Sequence, residues 1–377
     1  LGDRRRLRAL MGPELRDPLI AVIGRGGCTP DVEVQGLERE FAEWIGLDNV
    51  IASGSGSASL EAALHSLEIG HGDVVAPTSI RDISAVGPVS HVGATPMWVD
   101  VEPGTSAMSA EQLERTWDPA TKAVLIVHAH GYPTDVGEIV PIAHERGAAV
   151  IEDITHAPGA WSGGQRVGSI GDVMVMSCSP TKPLGAVGNA GLAATDSSDL
   201  AGAMREYLSY GFKNESLKAV HAGVLGAEFD YATVGVNGMP DEIQAAVLRR
   251  KLTRLDEWAD LRRKQLSVYE GSLRNVPGVR MVQGQGRQRP APRHLIANVG
   301  ANRDAILGLL RDRGVGATAG YYPGLHSQDV YADLARAPLP AARDFEQSIV
   351  ALPIGPELTS GEIEASVEAL CRVVATL

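Results

Sequence analysis

The 377-residue chain holds only three cysteines, Cys28, Cys178 and Cys371, far apart and odd in number. That spacing suggests neither a disulfide framework nor a CxxC metal site, so reduced thiols are expected, with Cys178 a packing residue. The ten histidines form no HExxH or similar ligand spacing, and no metal is expected. No apolar run is long enough to span a bilayer, and the first residues lack the charged-then-apolar pattern of a signal peptide. A cytoplasmic location without a membrane partner is the expectation. Positive charge is also short: 34 Lys+Arg stand against 46 Asp+Glu, a formal charge of -12. This argues against a nucleic-acid or anionic-membrane partner. The run Arg4-Arg5-Arg6 reads as a frayed, solvated terminus.

What is present is an ordinary globular composition, 44% hydrophobic and 21% charged, enough for one large domain and a smaller one. Residues 1–30, rich in Arg, Gly and Pro, read as an arm with little core of its own, with order beginning near Asp31. Val34, Leu37, Phe41 and Trp44-Ile45 recur at helical spacing and predict a helix over 32–46. Short apolar strands are then expected at 49–52, 73–77, 95–100, 123–127, 148–151, 172–176 and 190–195, with helices between them. Such alternation indicates an α/β fold with a largely parallel sheet covered on both faces. The large domain is placed at 31–240, a long linking helix at 241–275, and a small α+β domain at 276–377. Its strand is expected at 295–299, with helices at 303–313 and from about Ser360.

Three stretches could carry chemistry. The first is Ser177-Cys178-Ser179-Pro180-Thr181-Lys182-Pro183-Leu184-Gly185, which puts Lys182 in a turn between two core strands. Lys182 is either a solvated loop charge or a partly desolvated amine able to form a Schiff base with an aldehyde, the chemistry of pyridoxal phosphate (PLP) enzymes. The second is Ser53-Gly54-Ser55-Gly56-Ser57-Ala58-Ser59, a turn between a strand and a helix. Its bare amides suit a phosphate, or else only a serine-capped helix start; the GK[ST] ending of a Walker A loop is missing. The third is Glu152-Asp153 at the end of a buried strand. There Asp153 either caps or pairs locally, or keeps a pyridine nitrogen protonated.

These three, in this order along this sheet, resemble the DegT/DnrJ/EryC1/StrS family of sugar and cyclitol aminotransferases from about residue 30 to the C-terminus. Val127-His128-Ala129-His130-Gly131, Asp241-Glu242-Ile243-Gln244-Ala245-Ala246 and Tyr321-Tyr322-Pro323-Gly324-Leu325-His326 match as well. The resemblance implies a fold-type I aminotransferase, a homodimer with shared active sites, and PLP as cofactor. Lys182 then matches the Schiff-base lysine and Asp153 the carboxylate under the pyridine nitrogen. Gly56, Ser57 and Ser177 match the phosphate cradle, and Asn237 the residue a neighbouring subunit adds to it. Tyr321 and His326 are candidate substrate residues. Three positions depart from the pattern. His156 stands where glutamine faces the phenolic oxygen, and its charge is expected to couple to the lysine. Arg81 replaces the aromatic ring that stacks on the cofactor; it would stack, clamp an anionic substrate, or pair with Asp82. Gly238 and Met239 replace an aromatic and an arginine, implying a wider pocket. The expected activity is amino transfer from an amino acid, glutamate or glutamine, to a keto sugar nucleotide, cyclitol or related intermediate. Another PLP reaction on the same scaffold and a non-enzymatic regulator are the alternatives.

Overall fold

The computed structural model describes residues 4–26, 32–214, 216, 229–284, 286–334 and 337–377. Cys28 lies outside them. The central sheet has seven strands: β1 (Asn49–Ser53), β2 (Val74–Pro77), β3 (Thr95–Pro96), β4 (Thr121–Val127), β5 (Ala149–Asp153), β8 (Val173–Ser177) and β9 (Gly191–Thr195). A two-stranded hairpin, β6 (Trp161–Ser162) and β7 (Gln165–Arg166), interrupts the series. The order is β1-β9-β8-β5-β4-β2-β3, with β9 antiparallel to both of its neighbours and the other strands running one way.

Both faces of this sheet are dry, which explains why its strands read as nearly continuous apolar runs. Side chains alternate along a strand, so Val173 and Val175 of β8 join Leu60, Leu64 and Met204 on one face. Met174 and Met176 join Leu37, Phe41 and Leu248 on the other. A second, antiparallel sheet of β10 (Arg280–Met281), β11 (Leu295–Asn298) and β12 (Ile349–Leu352) carries the helices Arg303–Asp312 and Ser360–Val374. The last helix starts on a reciprocal capping box between Thr359 and Glu362.

Three segments differ from expectation, the first being the strand expected over 95–100, which is only Thr95–Pro96. The stretch read as an arm forms helices over Arg4–Leu10 and Gly12–Gly24, and Met11 and Leu15 are buried against Val247 and Trp258. Leu7, Met11, Leu15 and Leu19 recur every four residues on this cluster, an apolar stripe hidden in the composition by arginine and proline. Arg6 is part of that helix, with Nη1 2.6 Å from Glu362. The expected long linking helix is two helices, Glu242–Leu252 and Leu255–Leu273, and the second opens with Asp256 and Glu257 at its positive end.

Candidate functional site

The strands β5 and β8 and the helix Gly56–Ser66 after β1 end around one cavity of about 210 Å³, lined among others by Gly56, Ser57, Asp153, Thr155, Ser177 and Lys182. A water needs only about 10–15 Å³, so this space takes a small organic group. Strand alternation sends the last two residues of β5 opposite ways. Glu152 is fully buried and accepts from His128 Nε2 at 3.1 Å and from the amides of Gly168, Ile170 and Gly171 at 2.8, 2.9 and 2.7 Å. Burial alone would raise its pKa, but these hydrogen bonds outweigh it and hold the carboxyl below its ordinary value. Asp153 faces the cavity, and its Oδ1 accepts from Thr155 N–H at 2.8 Å.

The helix end opposite is built for close approach. Ser55 caps it, accepting from Ala58 N–H at 3.1 Å. A Cβ on Gly56 would stand 2.5 Å from Ser177 Cβ and 2.7 Å from Ser177 Cα, so only glycine lets the helix amides come this near β8. Ser177 donates its N–H to Thr155 Oγ1 at 2.9 Å, and Ser57 its hydroxyl to Ser84 O at 3.1 Å. Bare amides, hydroxyls and the positive helix end form a cradle for an anion. Cys178 behind it is wholly buried, and burial pushes its thiol up to about 12, in keeping with a packing role.

Lys182 enters from the turn after β8, its N–H donating to Ser179 O at 2.9 Å. Its Nζ lies 3.3 Å from His156 Nε2, and Arg293 Nη1 lies 3.1 Å from the same nitrogen. Tyr321 Oη lies 3.0 Å from it and 2.9 Å from Nδ1. Lys182 and Arg293 thus meet at one ring nitrogen, while the Tyr321 ring lies nearly parallel to the imidazole. Burial lowers the pKa of Lys182, with Arg293 adding to the shift and Asp82 and Asp153 opposing it. Burial and the cations Arg293 and Lys182 hold His156 well below its ordinary value. The expected charge on His156 is therefore absent: the ring is neutral, and its one acceptor lone pair, on Nε2, faces the obligate donor Arg293 beside the amine. His130 and His294, with ring centres 6.4 and 6.3 Å away, are likewise kept neutral by burial first and Arg293 second.

The remaining candidates fall differently. Arg81, just past the end of β2, is 2% exposed, and Nε, Nη1 and Nη2 have no hydrogen-bond partner among the described residues. Its pKa falls to about 10 through burial, against the pull of Asp153 and Asp82. The pair with Asp82 does not form; that carboxylate instead caps a short helix, taking Ser84 N–H at 2.9 Å. Asn237 is exposed and bridges Ser209 outside the cavity of its own chain. Gly238 O accepts from Gly54 N–H at 2.6 Å, and Met239 packs on the core beside Leu60 and Leu208. His326 is not brought to the cavity; it is buried against Trp98 and lies 3.9 Å from Glu346. Arg293 and Thr155 were not singled out from the sequence. Thr155 follows the strand-end acid and could have been found by strand alternation, whereas nothing local marks Arg293. Among the described residues no cluster of His, Cys, Asp and Glu could hold a metal, and no helix is long and apolar enough to cross a membrane.

An amine held partly desolvated, an acid facing the same cavity and a glycine-gated amide cradle fit a phosphate-bearing aldehyde such as PLP. The model of the DegT/DnrJ/EryC1/StrS aminotransferase family matches residues 12–371. The erythromycin biosynthesis sensory transduction protein EryC1 of Saccharopolyspora erythraea is 34% identical, covering 94% of this chain and 92% of that one. UDP-N-acetyl-3-dehydro-alpha-D-glucosamine 3-aminotransferase of Acidithiobacillus ferrooxidans is 33% identical, covering 95% and 94%. The crystal structure of Streptomyces venezuelae DesV in complex with a ketimine intermediate superposes with a TM-score of 0.92 at 29% identity, covering 99% of this chain and 97% of that one.

Proposed function

Because the chain belongs to the DegT/DnrJ/EryC1/StrS aminotransferase family and is thus a PLP-dependent aminotransferase, we propose that it moves an amino group from glutamate or glutamine to a keto group on a nucleotide-linked sugar or a related cyclitol. The acceptor class rests on the relative that acts on a UDP-linked dehydro-sugar. The site rests on one observation above the others: Lys182, Asp153 and the Gly56–Ser57 helix end line a single cavity.

Lys182 would hold the cofactor covalently through Nζ, with Asp153 facing its ring nitrogen. The amides of Gly56 and Ser57 and the hydroxyl of Ser177 would hold its phosphate. When bound, the cofactor supplies the aldehyde that takes up an amine and the ring that stores electrons. The chain supplies proton handling: a desolvated Nζ is neutral in a larger share of molecules than a free lysine, and so can take a proton and return it. Neutral His156 stands beside that amine without adding charge to it. Asn237 would serve the site of a second subunit in a homodimer, and we place the enzyme in the cytoplasm.

Purified protein mixed with PLP and a panel of amino acids, followed by absorbance and product analysis, tests the activity. Borohydride reduction followed by peptide mass spectrometry should find the cofactor on Lys182, and Lys182→Ala should abolish the label. A label that persists in that variant would assign the chemistry to another lysine.

A further inference from the structure

The turn that carries Lys182 joins β8 to β9, and one helix grips it from outside the cavity. Within the turn, Lys182 N–H donates to Ser179 O at 2.9 Å and Ala186 N–H to Cys178 O at 2.8 Å. The helix Glu242–Leu252 adds two side chains to these bonds. Gln244, 9% exposed, accepts with Oε1 from the amides of Val187 and Gly188 at 3.1 and 2.6 Å. Lys251, also buried, donates from Nζ to Gly185 O. The two residues lie almost two full helical turns apart and so project from one face. Gly188 leaves room for the contact: a Cβ there would stand 3.0 Å from Gln244 Nε2 and 3.2 Å from its Cδ.

The helix is itself fixed at its start. Asp241 caps it, accepting from Gln244 N–H at 3.0 Å. Glu242 accepts from the amides of Glu33 and Val34, each at 3.0 Å, in the first turn of the helix Val32–Ile45. Just before it, Gly238 O takes Gly54 N–H at 2.6 Å, in the turn that leads to the amide cradle. The stretch from Gly238 to Lys251 therefore touches both halves of the site, the cradle through Gly54 and the lysine turn through Gln244 and Lys251. Neither of these two side chains lines the cavity, so they act on the turn and not on a ligand. Nζ has to leave the cofactor and return to it while the turn beneath stays still, and a misplacement of about 1 Å can cost roughly 100-fold in rate. We infer that Gln244 is a positioning residue for Lys182: by pairing the amides of Val187 and Gly188 it sets where Nζ stands against the cradle, with Lys251 as the second tie. The inference rests on the assignment of Lys182 above.

The test uses PLP-loaded enzyme and three variants. Gln244→Met keeps the side-chain length and removes the acceptor, whereas Gln244→Glu keeps an acceptor. Gly188→Ala leaves Gln244 in place and pushes its carboxamide off the turn. Hydrogen exchange of the peptide spanning 186–190 should be faster than wild type in Gln244→Met and Gly188→Ala and close to wild type in Gln244→Glu. Borohydride should still label Lys182 in all three, since none removes a contact with the cofactor. At saturating glutamate or glutamine, the single-turnover rate per labelled site should fall roughly 10- to 100-fold in Gln244→Met and Gly188→Ala. The half-saturating donor concentration should stay within about 3-fold of wild type, because no group that binds the donor is altered. Gln244→Glu should recover most of the rate. A purely structural role would lower Tm and the fraction of labelled enzyme while leaving the rate per labelled site unchanged; that result, or equal losses in the Met and Glu variants, would overturn the inference. A cofactor label found away from Lys182 in wild type would instead remove the premise, whatever the variants do.

Discussion

Glu152 and Asp153 are neighbours in sequence with opposite duties, and the difference can be measured. Glu152 takes hydrogen bonds from one imidazole and three amides in full burial. Glu152→Ala should cost about 3–5 kcal/mol by leaving those donors unpaired, seen as a drop in urea midpoint at pH 7. Asp153→Ala removes one hydrogen bond, to Thr155, and should cost only about 1 kcal/mol. The folded-state pKa of Glu152 is lowered, so its stabilisation is fully present above the unfolded value near 4.5 and is lost as pH falls through the lower folded one. The gap between wild type and Glu152→Ala should therefore narrow in acid. A gap that is constant from pH 7 to pH 3 would show that the carboxylate does not carry the effect. In the sequence, Glu152-Asp153 is legible as a costly acid pair, but the three amides that meet Glu152 come from a loop 16–19 residues on and the imidazole from 24 residues before. The neutrality of His156 was equally hidden, since it depends first on burial and then on Arg293, far along the chain.

At the scale of elements, strands and helices of the sheet were legible because each is a short apolar run bounded by glycine, proline or polar residues. Asn49–Ser53 and Val32–Ile45, and the start of the last helix at Ser360, lie within about two residues of expectation, the usual uncertainty of helix and strand ends. The N-terminal helices were missed because arginine stems tolerate a surface above an apolar stripe, so composition concealed a period of four. The helix Pro340–Ser348 carries a further hidden feature, Glu346, 5% exposed near His326. Burial pushes its carboxyl up to about 7, against the pull of Arg343. A raised folded-state pKa means stability that is present below about 4.5 and lost as pH rises through 7. Glu346→Gln removes the charge and should raise stability at pH 8 by up to roughly 3 kcal/mol, with little change at pH 4. Thermal melts at the two pH values check this, and a loss at pH 8 would mean that the carboxylate is paired in the folded protein.

At the scale of the whole molecule, the parallel sheet brings distant segments to one end: Arg81 follows β2, Asp153 ends β5, and Lys182 follows β8. Ligands of such sheets gather at the carboxyl ends of the strands, which is why the order of motifs along the chain already located the cavity. Asn237 does not join it within its own chain. Near it in sequence Phe229, Tyr231 and Val234 are 66%, 52% and 91% exposed, apolar surface of the kind that marks an interaction site. If Asn237 serves the partner's cradle, Asn237→Asp places a negative charge beside the cofactor phosphate and should weaken PLP binding. Lys182→Ala would disable the other half of the site. At a PLP concentration where neither variant alone is active, equal mixtures of the two, unfolded and refolded together, should then recover about a quarter of wild-type activity: half the dimers are mixed, and each mixed dimer has one intact site of two. No recovery from a mixture that light scattering shows to be dimeric would return Asn237 to its own chain.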